Sequence, residues 1–173
     1  MLHFGPVALY RNTTFLGEDI AKLESEGFDM RTLDASRWDE VVALHNDLKT
    51  TLELPDYYGE NLNALSDCMQ DLVIPDDGGM AIVIRDYDAF SNRFADYALG
   101  FLDVLTRGSR FLQIFGKTLL VIVHTNDANA SFERLGATSA VWNSREFVRK
   151  NRGDAETSQQ DGAGQPPTSP VFE

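Results

Sequence analysis

Short runs of consecutive apolar residues alternate along this chain with longer stretches in which apolar positions recur every three or four residues. Val7-Ala8-Leu9-Tyr10 predicts a first strand, and a helix is expected around Gly17 to Glu26, stopped by Gly27. Phe28 to Leu33 predicts a second strand. Ser36 then stands at an N-cap position with Asp39 three residues on, a capping-box-like start. Behind it Trp38, Val41, Val42, His45, Leu48 and Leu52 recur at helical spacing, which predicts a buried stripe. Beyond Pro55, Asn61 is placed to cap a short helix that runs to about Leu72.

Asp76-Asp77-Gly78-Gly79 marks a turn, and Met80 to Ile84 is an unbroken apolar run that suits a strand covered on both faces. Helical periodicity returns with Phe90, Phe94, Tyr97, Phe101, Leu102 and Leu105, with Gly108 as the expected break. Leu119 to Val123 is a second fully apolar strand. Strands alternating with helices imply right-handed crossovers and an α/β fold, a small and mainly parallel sheet packed against helices. Thr138 to Trp142 predicts an edge strand, and Asn143 followed by Ser144-Arg145-Glu146 has the spacing to open a short last helix, to which Trp142 would pin the domain. From Asn151 the chain is rich in Gly, Pro, Ser, Thr and Gln with almost nothing apolar, so residues 151–173 are expected to be a disordered tail behind a domain of residues 1–150. There is no internal repeat.

Composition narrows the function. The 173 residues are 43% hydrophobic and 24% charged, as expected of a globular domain with a sizeable core. No apolar run approaches the roughly 20 residues of a membrane span, and the first residues lack a signal-peptide pattern, so a cytoplasmic protein with no membrane role is expected. The single Cys68 forms no internal disulfide and leaves no zinc-ligand pattern, and no metal or cofactor is expected. Twenty-seven acids against fifteen Lys and Arg give a net charge of −12. That charge repels nucleic-acid phosphates and argues against direct nucleic-acid binding; a partner held by electrostatics should be basic.

The segment from Leu54 to Met69 concentrates the candidate chemistry. Leu62, Leu65, Met69 and Leu72 share one helix face, while Asn63, Ser66, Asp67, Gln70 and Asp71 share the other. Ahead of the helix a loop carries Asp56, Tyr57, Tyr58, Gly59 and Glu60, with Gly59 expected to supply a positive φ. Carboxylates beside amphipathic aromatic rings have the composition of a protein-binding hot spot for a cationic partner. The plainer reading of the same residues is a solvated helix face beside packing tyrosines.

The run Leu54-Pro55-Asp56-Tyr57-Tyr58-Gly59-Glu60-Asn61-Leu62, followed by Ala64-Leu65 and Asp67-Cys68, resembles the loop and helix of the barstar family of intracellular ribonuclease inhibitors. The order of elements is similar from about Arg31 to Thr125; the first thirty residues and the Trp142-Asn143-Ser144-Arg145-Glu146 segment resemble additions found in elaborated members, which implies an extra N-terminal βα unit. The resemblance implies an inhibitor, not an enzyme, that presses this loop and helix into the active site of a basic ribonuclease, with acids taking the place of RNA phosphates. The family's best-known pair is itself a standard example of charge-steered association and acidic hot spots. By the same resemblance Asp67 matches the central acid, Tyr57 the ring that packs on the enzyme, Gly59 the loop-shaping residue and Asn61 the residue that opens the helix; Tyr58 is partly structural. Asp56, Glu60 and Asp71 are candidate further contributors to the negative field. The pattern is broken in three places. Asn63 stands where a second aspartate is frequent, Ser66 where a tryptophan is frequent, and no acid of a later helix has a counterpart near Arg107 to Gln113.

Those departures keep a second function open, an interaction module of the same fold for a partner other than a ribonuclease. A third class, an enzyme, rests on Asp86, Asp88, His124 and Asp127 at the carboxyl ends of strands, where parallel sheets bind ligands. It lacks a nucleophile elbow, a phosphate-binding loop or metal-ligand spacing. Cys68 reads as a small buried hydrophobe and His45 as a packing histidine.

Overall fold

A computed structural model of the chain describes residues 7–147. Five parallel strands form one sheet in the order β2-β3-β4-β1-β5: β1 (Val7–Tyr10), β2 (Phe28–Asp34), β3 (Gly79–Arg85), β4 (Leu119–His124) and β5 (Val141–Trp142). Helices α1 (Thr13–Ser25), α2 (Val41–Thr51), α3 (Leu62–Gln70), α4 (Tyr87–Ser91) and α5 (Ala95–Ile114) connect them. The α/β fold with a small parallel sheet is therefore as the sequence implies. Met1–Asn143 is one compact unit; of the second, Ser144–Glu173, residues 144–147 are described and helical, and the tail expected at 151–173 lies outside the described residues.

The central strands are apolar throughout because both sheet faces are covered. Met80, Ile82, Ile84, Val121 and Val123 enter the larger core with α2 to α5, while Ala81, Val83 and Ile122 enter a second core with Leu16 and Leu23 of α1. The preceding βα unit thus supplies both a strand beside β4 and the cover for the far face. Burying a Val, Leu or Ile side chain stabilises the fold by about 1.5–3 kcal/mol.

Local chemistry moves several expected boundaries. α1 starts earlier than Gly17, because the Asn12 side chain accepts from the Thr14 and Phe15 amides at 2.9 and 3.2 Å. Ser36 does not cap α2. Asp34 caps a 3-10 turn, Ala35–Arg37, and α2 begins only at Val41. The intervening break turns the Trp38 ring into the core, edge-on to Phe90 and Phe101, with its indole N–H donating to Asp47 at 2.9 Å. Val42 lies off the buried stripe and is exposed, whereas Leu44 is fully buried. The expected edge strand at 138–142 shortens to Val141–Trp142; Thr138 instead bridges back to Leu135.

Gly108 does not end its helix. It lies inside α5, where a Cβ would stand 2.9 Å from both Cβ and Cε of Met69, and at Gly100 a Cβ would stand 2.9 Å from Leu62 Cδ1. These two glycines let α3 seat closely on α5, which aims the polar face of α3 outward. Gly108→Ala should therefore lower the unfolding free energy by about 1–2 kcal/mol in denaturant titration, overpacking outweighing the gain in helix propensity. A more stable variant would refute this account of the crossing.

Candidate inhibitory face: the 55–61 loop and helix α3

The loop is built from the end of α2. Leu54 N–H donates to Lys49 O at 3.0 Å, with Glu53 at φ 54° in the left-handed conformation that closes such helix ends. Tyr58 N–H then donates to Pro55 O at 2.9 Å, a tight turn that gives the two adjacent tyrosines opposite fates. Tyr57 is 82% exposed and Tyr58 is 4% exposed.

Tyr58 is anchored through His45. Its hydroxyl lies 2.5 Å from His45 Nδ1, and the Tyr97 hydroxyl of α5 lies 2.6 Å from Nε2. One buried imidazole of α2 therefore ties the loop to α5. Burial pushes the Tyr58 and Tyr97 hydroxyls up and holds the His45 imidazole below its ordinary range, with Glu60 opposing that shift for His45.

The positive φ expected at Gly59 falls on Glu60, at φ 48°. Gly59 is needed for space instead: a Cβ there would stand 3.3 Å from Ala64 Cβ and 3.4 Å from Asn61 Nδ2. Asn61 fills the role read from its position. Its Oδ1 accepts from the Ala64 amide at 3.0 Å, capping α3, and its Nδ2 donates to Gly59 O at 2.8 Å, so one side chain joins loop and helix.

On α3 the two faces separate as the periodicity implies. Leu65, Cys68 and Met69 are buried, Leu62 and Leu72 are partly buried, Asn63, Asp67, Gln70 and Asp71 are exposed, and Ser66 is intermediate. Burial, with Asp67 and Asp71 adding to it, raises the Cys68 thiol, which stays protonated at neutral pH and acts as a small apolar group. Asp56, Tyr57, Gly59, Glu60 and Asn61 occupy the loop, and Asn63, Ser66, Asp67 and Asp71 continue along the helix to its C-cap. None of Asp56, Glu60, Asp67 and Asp71 has an ion-pair partner among the described residues, although Lys49 Nζ donates to the Asp56 backbone carbonyl at 3.5 Å. Other acids do have such partners: Glu53 pairs with Arg31, Asp103 with Arg107 and Asp76 with Lys117.

The strand-end residues behave otherwise. His124 Nδ1 lies 3.3 Å from Asp86 Oδ1 and accepts from the Asp86 amide, while Asp88 accepts from the backbone and side chain of Asn126. Asp127 accepts from the Asn129 amide. These groups knit two loops together, and no set of three or more His, Cys, Asp or Glu suited to a metal occurs among the described residues.

Residues 28–124, from β2 to the end of β4, match the family model described as Barstar (barnase inhibitor). The chain belongs to the barstar family. It is also 37% identical over 82 residues to the Bacillus subtilis (strain 168) protein named "Putative ribonuclease inhibitor YrdF", covering 47% of this chain and 86% of that protein. A chain in the structure of Drosophila ORC bound to AT-rich DNA and Cdc6 superposes with a TM-score of 0.45 and 12% identity, over 71% of this chain and 41% of that one, a likeness too distant to carry an argument. The barstar match begins after α1 and ends before β5, so β1, α1 and β5 lie outside the matched residues.

The role of His45 and Tyr97 in this barstar-family loop was not legible beforehand. The available signal was a histidine on an otherwise apolar stripe, which must find buried polar partners. Because the folded chain holds the imidazole below its unfolded value, the unfolded chain takes up the proton first as pH falls. The stability contributed by neutral His45 is complete above about pH 6.5 and is lost as pH falls below it towards the folded value. Unfolding titrations at pH 7.5 and 5.5 should show a larger loss for wild type than for His45→Gln. Equal losses would dissociate His45 from the pH dependence.

Proposed function

We propose that this barstar-family protein inhibits a basic ribonuclease of the barnase type by seating the 55–61 loop and the outer face of α3 in the enzyme's active site. The observation that carries the reading is a set of four carboxylates with no ion-pair partner among the described residues, on the same loop and helix as an exposed tyrosine. Asp67, central on the exposed face of α3, takes the place of a substrate phosphate against the enzyme's catalytic cations. Tyr57 contributes a large ring with few rotamers to lose, and Asn61, Asn63 and Ser66 contribute neutral hydrogen-bonding groups at the rim. Gly59 keeps the loop against the helix. Asp56, Glu60 and Asp71 widen the negative field that steers a cationic enzyme into place. Such an inhibitor needs no cofactor and does no chemistry; its effect is to occupy the site RNA would enter. The reduced thiol of Cys68 fits action in the cytoplasm.

Asn63 and Ser66 favour a second reading. One lacks a charge and the other offers little contact area on the face that would meet the enzyme, which suits a partner other than a ribonuclease.

A titration of barnase activity with this protein separates the two. Inhibition should approach one-to-one stoichiometry, and Asp67→Ala should weaken it by about 2–5 kcal/mol, the range for truncating a charge-paired hot spot, while the melting temperature stays unchanged. Undiminished RNA cleavage at saturating protein would leave the non-ribonuclease module as the reading.

A further inference from the structure

A groove of about 430 Å³ adjoins the inhibitory face. Its lining includes Asp71, Leu72 and Val73 from the end of α3 and the residues after it, and Leu54, Pro55 and Tyr57 of the loop. Asp29 and Arg31 of β2, an edge strand of the sheet among the described residues, also line it. Val73 is 85% exposed and Tyr57 82% exposed, so two sizeable apolar surfaces bound the groove and face water in the free protein.

Charge decides what fits. Arg31 is the lone cation lining the groove, and it is held by Asp29 at 2.9 Å and Glu53 at 2.8 Å. Against it stand three lining acids, of which Asp71 has no ion-pair partner among the described residues. A wholly apolar occupant would strip water from Asp71 without replacing its hydrogen bonds, and an acidic segment would be repelled. A second copy of this acidic chain would bring like charges together, given its net charge of −12. A long cationic side chain satisfies both features, its methylene stem lying along apolar walls while its head reaches a carboxylate.

We propose that this groove is a specificity pocket for a lysine or arginine of the bound ribonuclease, its stem between Tyr57 and Leu72 and its charge against Asp71. The inference rests on the inhibitor reading, since Tyr57 and Asp71 belong to both surfaces, and it adds a second anchoring point beside Asp67. The contact would be a place where this protein distinguishes among related nucleases, because a cation is required at one position of the partner's rim.

Calorimetric titration of barnase with the full chain tests it, using Val73→Arg, Val73→Glu and Asp67→Ala. Val73 lies outside the helices and is exposed, so neither substitution at it should alter the melting temperature. Val73→Arg places a competing cation at the groove and should weaken binding by about tenfold or more, whereas Val73→Glu should bind as tightly as wild type or tighter. Wild-type affinity in both Val73 variants, alongside weakening by Asp67→Ala, would overturn the pocket while sparing the inhibitor reading. Equal weakening by both would mean that the groove is contacted by an apolar group, which also overturns a cationic occupant. Absence of a wild-type complex, or indifference to Asp67→Ala, would overturn the inhibitor reading and this inference with it.

Discussion

The constraint on which the rest of this structure depends is that β3 and β4 are apolar on both faces and must be covered twice. Met80, Ile82 and Ile84 alternate with Ala81 and Val83 along β3, so each strand feeds two separate cores. One cover is the layer of α2 to α5; the other is α1, delivered by the N-terminal unit whose strand extends the sheet next to β4. With the central strands held from both sides, α5 becomes a fixed platform, and α3 settles on it where Gly100 and Gly108 leave room. The orientation of Asp67 is set by that seat, although Asp67 itself is exposed.

The candidate face combines exposed negative charge with mechanical restraint. Asp56, Glu60, Asp67 and Asp71 have no ion-pair partner among the described residues, and a field of that sign favours a basic partner over an acidic one. Restraint comes from the Tyr58–His45–Tyr97 bridge, the Asn61 cap and the close approach at Gly59. Ordering the loop before binding removes an entropy cost that association would otherwise carry. The adjacent tyrosines take opposite places: Tyr58 is buried and holds the loop through His45, and Tyr57 is left exposed.

Most of the architecture was legible because its signals are local. The unbroken runs at Met80 to Ile84 and Leu119 to Val123 announce doubly covered parallel strands, and the three-and-four spacing of Leu62, Leu65 and Met69 separates the faces of α3. Asn61 was readable as a cap because capping is decided within four residues. Two of the errors share a cause as well. At Ser36 and Gly108 a distant contact overrules a sound local preference, the burial of Trp38 against Phe90 and the seating of Met69. At Gly59 the positive φ falls one residue later, and the near approach of Ala64 calls for the missing side chain.

The sequence by itself determined the fold class, the family, and the residues of the candidate face, since hydrophobic period and the Leu54 to Cys68 motif are properties of neighbouring positions. Only the tertiary structure decided that Tyr58 turns inward while Tyr57 turns out, that His45 joins the loop to α5 through Tyr97, 52 residues on, and that a groove opens beside loop and helix. Those outcomes depend on which surfaces meet in space. Steric fit and the need to satisfy buried polar groups act between residues far apart in the chain, where local pattern carries no information.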